Sequence, residues 1–285
     1  MYSALSRRIT MQKFNYHCHT TFSDGANTIE EMIAQAVKLG FTQIGISDHV
    51  QIHENATKLL GKEIISSQAW GKFAMDSFDG LKPSLANHIN QIREISEKYP
   101  IKVLVGFEVD SFSYPGWLNK FGELCKGLDT DYLINGNHFF PNKTNDHLIR
   151  LFELQNHPDN KLVGEYVKSY FANSINSIES GLFTFAAHLD FIRWAKVVGE
   201  FDYRDERMAI IEALAKTGTP TEINTKGLES IGDFYPAQWM LKEMKVRKIP
   251  VVISDDAHRT SQIGRDFDKA EAMLEALDYK YRFSL

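Results

Sequence analysis

Six of the ten histidines in this chain stand at the ends of short apolar runs, and most of those ends also carry a carboxylate or an amide. The side chains are His17 and His19; Asp48 and His49; Glu108 and Asp110; His138; His188 and Asp190; Glu222 and Asn224; and Asp256 and His258. Imidazoles and carboxylates without thiolates are ligands for Zn, Mn, Fe or Co rather than for a cysteine-rich structural site. Strand side chains alternate faces, so residues two apart point the same way. His17 and His19 can therefore grip one ion while Cys18 faces away, and the same parity pairs Asp256 with His258 across Ala257. A single histidine at a strand end is usually a hydrogen-bonded structural group. Six of them, together with Asp24, Glu108 and Asp256, exceed the needs of one tetrahedral ion and suit two or three divalent ions. The other four, His53, His88, His147 and His157, fall in helical or loop stretches and are assigned no role.

Such ligands, scattered along the whole chain, meet only if the elements carrying them open on one face. Seven β-branched and aromatic runs, at residues 13–19, 42–49, 102–110, 132–139, 184–190, 221–225 and 250–256, alternate with helical patterns, the rhythm of βα units around a parallel sheet. In a barrel of parallel strands all C-terminal ends lie on the same side. The clearest helix follows Thr28, where a T-x-x-E box with Glu31 starts it, Ile29, Met32, Ile33, Ala36 and Val37 share a face, and Gly40 closes it. Further helices are expected at about 84–98, 164–179, 203–216, 236–247 and 266–277. Residues 50–83 form a long polar stretch broken by Gly61, Gly71 and Gly80, expected as an excursion over the barrel mouth, and loops of that length are often functional.

With 285 residues and 43% hydrophobic content, one large α/β domain over residues 11–285 is expected, with residues 1–10 set aside as a leader. The formal charge of −5 offers no general attraction for nucleic acid or an anionic membrane, and no apolar run is long enough to span a bilayer. Only Cys18 and Cys125 occur, without disulfide-framework spacing, which points to a reducing cytoplasmic setting.

The strings NYHCHTTFSDG from Asn15 to Gly25, SDH at Ser47 to His49, GFEVD around Glu108, NGNHFF around His138, AAHLDFIRW around His188 and SDDAH ending at His258 resemble the successive motifs of the PHP superfamily of metal-dependent phosphoesterases. They arrive in order over nearly the whole chain, with spacing closer to the stand-alone histidinol phosphatases than to modules attached to DNA polymerases. The resemblance implies a distorted (β/α)7 TIM-like barrel and hydrolysis of a small phosphate ester, L-histidinol phosphate, in histidine biosynthesis. It also implies three ion sites: His17, His19, Glu108 and Asp256; Asp24, His49 and His258; and Glu108, His138 and His188, with Glu108 bridging. Many relatives carry an arginine soon after the sixth strand, where this chain has Lys226.

Three divalent ions against three carboxylates would leave the mouth positive and attract a phosphate dianion despite the acidic whole. Water held between ions loses its proton near neutral pH, so a metal-bridging hydroxide is the expected nucleophile for in-line attack and no phosphoenzyme is required. Glu108, Asp256 and His258 would thus serve catalysis as well as binding. Asp48 or Asp190 could protonate the leaving group or orient neighbouring imidazoles, helix capping being their structural alternative. Arg193, Lys226 and Arg265 are the expected contacts to phosphate, with Arg259 a further candidate, although basic loop residues are otherwise simply solvated. Phe139, Trp194 and Tyr235 could line a pocket for the leaving group or belong to the core. Two other readings remain open: a phosphoesterase acting on nucleotides or other esters, and a non-catalytic metal-holding module.

Overall fold

The computed structural model describes residues 12–53, 74–75, 78–112, 116–144, 146–200 and 202–285. Residues 1–10, set aside above as a leader, and residues 54–73 and 76–77 of the expected excursion over the barrel mouth, lie outside the described residues.

The strands are β1 (Phe14–Asn15), β2 (Gln43–Ile46), β3 (His49–Ile52), β4 (Ala74–Met75), β5 (Lys102–Asp110), β6 (Tyr132–Gly136), β7 (Phe139–Pro141), β8 (Leu148–Arg150), β9 (Phe185–Ala186), β10 (Thr221–Asn224) and β11 (Val251–Ser254). Seven of them form a parallel ladder in the order β1-β2-β5-β6-β9-β10-β11. Its two edges meet just beyond the strand ends, where Cys18 and Ala257 form a parallel bridge: His19 N–H donates to the Ala257 carbonyl at 2.8 Å and Ala257 N–H to the His17 carbonyl at 3.1 Å. The result is the expected distorted (β/α)7 barrel. Tyr132 fills its interior, packed with Tyr16, Leu104, Ile134, Phe185 and Val252. Its ring occupies the space that any side chain at Gly45 or Gly106 would need, and its hydroxyl donates to the Tyr16 carbonyl at 2.7 Å.

Helix α1 (Ile29–Lys38) carries both halves of the capping box, Thr28 accepting from Glu31 N–H and Glu31 accepting from Thr28 N–H at 2.8 Å. Such a cap contributes about 1 kcal/mol. The helix buries Ile29, Met32, Ile33 and Ala36. Two other helices start earlier than their apolar periodicity predicts. Phe78–Ser96 includes Pro83, and Asn160–Glu179 gains a turn because Asp159 caps Leu162 N–H at 3.1 Å.

Several runs depart from plain strands where the chemistry lies, the first being a strand only at Phe14–Asn15, short of His17 and His19. The second run breaks at residues 47 and 48 and resumes as β3 against β5 in unchanged register, His49 beside Glu108. The fourth ends at Gly136 and turns into the antiparallel hairpin β7–β8, because the Asp110 carboxylate captures His138 N–H at 2.5 Å and Phe139 N–H at 3.4 Å in place of a ladder partner. The fifth is a strand only at Phe185–Ala186; beyond it His188 N–H donates to Glu222 Oε1 at 2.8 Å. Among the described residues no helix is long and apolar enough to cross a membrane.

Candidate active site

Glu108, near the end of β5, is the hub. Its Oε2 lies 3.1 Å from His17 Nε2, 3.4 Å from His19 Nε2 and 3.1 Å from His49 Nδ1, while Oε1 lies 2.8 Å from His188 Nε2 and 3.8 Å from His138 Nε2. Five imidazoles from four separate runs thus surround one buried carboxylate. Asp256 adds a second, with Oδ1 3.1 Å from His19 Nε2 and 3.7 Å from His17 Nε2. Half-exposed Asp24 forms the rim, 3.2 Å from His258 Nε2 and 3.6 Å from His49 Nε2.

The groups able to share an ion are His17, His19, Glu108 and Asp256; His19, Asp24, His49 and His258; and His49, Glu108 and His138, the ligand atoms of each lying within 4.8 Å of one another. The first set coincides with the expected one. The second gains His19, and in the third His49 stands where His188 was expected, although His188 also touches Glu108. Asp256 has φ 49°, so it meets His258, at 3.3 Å, through a turn in the chain rather than through strand alternation.

Burial, which opposes every charge here, is overridden at several positions. Glu108, buried, is held well below the usual carboxylate range by His17, His49 and His138. His17 is pushed down by burial but raised well above its ordinary value by Glu222, Glu108 and Asp256. Burial, with His258 and His49 beside it, lowers His19 to about 3. Burial and mutual repulsion thus keep imidazoles such as His19 neutral, the form that can bind a metal ion. His17 Nε2, both nitrogens of His19, Glu108 Oε2 and Asp256 Oδ1 are buried without a properly formed hydrogen bond. Buried polar atoms normally find partners, and a shared divalent cation would supply one; the donor set fits such ions.

Supporting groups fix the ligands. Glu222 Oε2 lies 2.9 Å from His17 Nδ1 and its other oxygen accepts from Asn224 at 2.7 Å; the Ser254 hydroxyl also donates to it. Asp110 lies 3.4 Å from His138 Nδ1 and is itself held by Gln51 at 2.5 Å. Glu222 and Asp110 were legible only as strand-end polar residues; their roles follow from what they touch.

The expected accessory residues have other engagements. The Asp48 carboxylate accepts from Thr20, Ser23 and His88. Asp190 accepts from Ala237 N–H at 3.1 Å and lies 2.7 Å from Arg193 Nε. Arg193 also binds Asp233 at 3.0 Å and the Phe234 carbonyl. Arg265 pairs with Glu229 and donates to the Asp255 carbonyl at 2.8 Å. Lys226 alone of the three basic residues reaches the ligands, with Nζ 2.8 Å from Asp256 Oδ2. A cavity of about 140 Å³ opens above them, lined by Asp24, His49, Gln51, His138, Phe139, Arg150, Phe152, Phe191, Lys226, Asp256 and His258. Neither Arg193 nor Arg265 lines it. Arg150 and Phe152 were not singled out in the sequence because they lie at the end of a hairpin, and in the 3-10 turn Leu151–Asn156 that follows it, which its periodicity does not announce. A larger depression, about 560 Å³ beside Lys143, Glu165 and Lys168, holds none of the clustered histidines.

A parallel barrel with imidazoles and carboxylates converging at one mouth is the arrangement of a metal-dependent hydrolase. Residues 15–226 match the PHP domain, and the chain belongs to that family. Histidinol-phosphatase of Bacillus subtilis (strain 168) is 26% identical over 294 residues, covering 93% of this chain and 99% of that protein. A Listeria monocytogenes crystal structure, named as a candidate histidinol phosphatase, superposes with TM-score 0.72 at 20% identity over 90% of this chain and 99% of that one. Histidinol phosphate phosphatase of Lactococcus lactis subsp. lactis Il1403, crystallised with Zn, L-histidinol and phosphate, gives TM-score 0.65 at 15% identity over 94% and 95%.

Proposed function

We propose that this protein hydrolyses L-histidinol phosphate to L-histidinol and phosphate, using two or three divalent ions held by His17, His19, Asp24, His49, Glu108, His138, His188, Asp256 and His258. The observation that carries the phosphatase reading is the gathering of five imidazoles around buried Glu108. The substrate rests on the full-length likeness to the Bacillus protein, and zinc on the Lactococcus complex. When bound, the ions act as Lewis acids towards the phosphoryl oxygens and lower the pKa of water to near neutrality.

The chain's own residues do the rest. Glu222 and Asp110 fix the rings of His17 and His138 so that their remaining nitrogens face the ions. Lys226, tethered to Asp256, places a positive charge beside the phosphoryl group, where negative charge grows in the transition state. Phe191, on the cavity wall beside His138 and His188, keeps bulk water from the leaving group.

The test is phosphate release from L-histidinol phosphate and a panel of nucleotides and sugar phosphates, with and without chelator, by the native chain and His17→Ala. The reading expects a clear preference for L-histidinol phosphate and loss of activity in the chelated and substituted samples. Equal rates on every ester would remove the substrate, and activity indifferent to chelation would remove the mechanism.

A further inference from the structure

Of the described residues lining the cavity over the ligands, two carry a guanidinium or ammonium group, Arg150 and Lys226, and they are committed differently. Lys226 is held by Asp256 at 2.8 Å. Arg150 has a buried Nε without a hydrogen-bond partner, and its ion pair is a long one, 3.8 Å to Glu153 three residues further on. Arg150 ends β8 directly opposite Phe139, so its backbone is fixed one residue from the ligand His138. The nearby arginines that could take an anion, Arg193 and Arg265, are occupied by carboxylates and carbonyls. A guanidinium offers a planar fork of donors that matches two oxygens of a phosphate, and a buried donor without an acceptor is stabilised when an anion supplies one. Two residues on, Phe152 is 43% exposed although it packs edge-on against Phe191 and Trp194, at 6.3 and 5.1 Å between ring centres. An exposed aromatic face beside an uncommitted guanidinium suits an ester with an anionic end and a flat apolar end.

We propose that Arg150 is the phosphate clamp of this site and that Phe152 is the face on which the organic part of the ester rests. The hairpin β7–β8 therefore forms a recognition element laid over the barrel mouth. The inference takes its anion from the phosphatase reading above, but its test does not depend on turnover.

The test is titration of inorganic phosphate into the metal-loaded full-length chain by calorimetry, for the native protein, Arg150→Met, Arg150→Lys and Phe152→Ala. Metal content and melting temperature are measured on each sample. Arg150→Met is expected to weaken phosphate binding about 10-fold or more, the effect of losing a charge-assisted pair, with metal content unchanged. Arg150→Lys keeps the charge but not the fork and falls between; it also stands in should the methionine variant not fold. Phe152→Ala is expected to leave phosphate affinity within about 2-fold while raising KM for p-nitrophenyl phosphate with little change in kcat. Native phosphate affinity in both Arg150 variants, or no phosphate binding by the native chain at millimolar concentration, would overturn the clamp. Arg150-dependent phosphate binding in a protein inert towards L-histidinol phosphate would remove that substrate and leave the clamp standing.

Discussion

His88 Nε2 lies 2.9 Å from Asp48 Oδ2, and the same carboxylate accepts from Thr20 N–H and Thr20 hydroxyl, each at 2.7 Å, and from the Ser23 hydroxyl at 2.6 Å. The His88 ring also stacks on Phe22 with centroids 3.8 Å apart. One side chain on the helix Phe78–Ser96 thus ties down the turn that delivers Asp24 to the metal site. His88→Ala should cost about 1–3 kcal/mol in urea unfolding, the range for stranding a buried hydrogen-bond partner. It should also lower metal occupancy, because the Asp24, His49 and His258 group loses its rim. His88→Gln, which retains a donor, should restore part of both. Full metal content in His88→Ala would show that the turn holds its shape unaided.

How much of this site was legible in the sequence depended on how local each signal was. The metal-ligand types at strand ends could be read because a parallel barrel brings all those ends to one face, and β5 matches its predicted run residue for residue, whereas the expected strand parity gives way to a turn at Asp256. The Asp48–His88 pair could not be read, since its partners lie 40 residues apart on different elements and only packing brings them together. Arg193 looked like a phosphate ligand because its position after the fifth run is right, but Asp233, from a distant loop, holds it at 3.0 Å. Arg150 was invisible for the opposite reason: the hairpin carrying it exists because Asp110 diverts the backbone at residues 138 and 139, a side-chain effect that periodicity does not record.

Glu222 offers a test of support at a distance. Because it orients His17 through Nδ1 while binding His188 N–H, Glu222→Gln should weaken metal affinity about 10- to 100-fold, as losses of such partners commonly do. Competition against a chelator of known affinity measures this directly. Unchanged affinity would mean that the rings are held by the barrel alone.

The pH behaviour of the stripped protein follows from two imidazoles pushed in opposite directions. Burial would lower His138, but Asp110 and Glu108 raise it to about 9. Burial together with His258 and His49 lowers His19 to about 3. His138 therefore contributes stability that is complete below its unfolded value near 6.5 and is lost as pH rises through about 9. His19 acts in reverse, and its contribution is lost as pH falls from about 6.5 towards about 3. Loading metal at pH 7.5 should consequently displace protons from His138 and from His17, which its neighbouring carboxylates also raise, and none from His19. Imidazole NMR titration of the stripped chain, with proton release measured during loading, checks this; His138 titrating near 6.5 would contradict it.

The sharpest separation of fold from function is available at Gly136, the last residue of β6, which lies beside Asp110 of β5. A Cβ at position 136 would stand 2.5 Å from Glu108 Oε1 and 3.0 Å from both Cγ and Cδ of that side chain. No backbone atom is among the three nearest contacts, so the clash falls first on the Glu108 side chain, which has to swing aside. Gly136→Ala should therefore keep a melting temperature within a few degrees of the native chain, a change of about 1 kcal/mol or less. The carboxylate approached by five imidazoles would be displaced by about 1 Å, a misplacement that costs on the order of 100-fold in rate. Metal content and phosphatase rate should fall together while far-UV circular dichroism is unchanged. Native activity in Gly136→Ala would show that Glu108 has freedom to move without cost, and its place at the centre of the site would have to be given up.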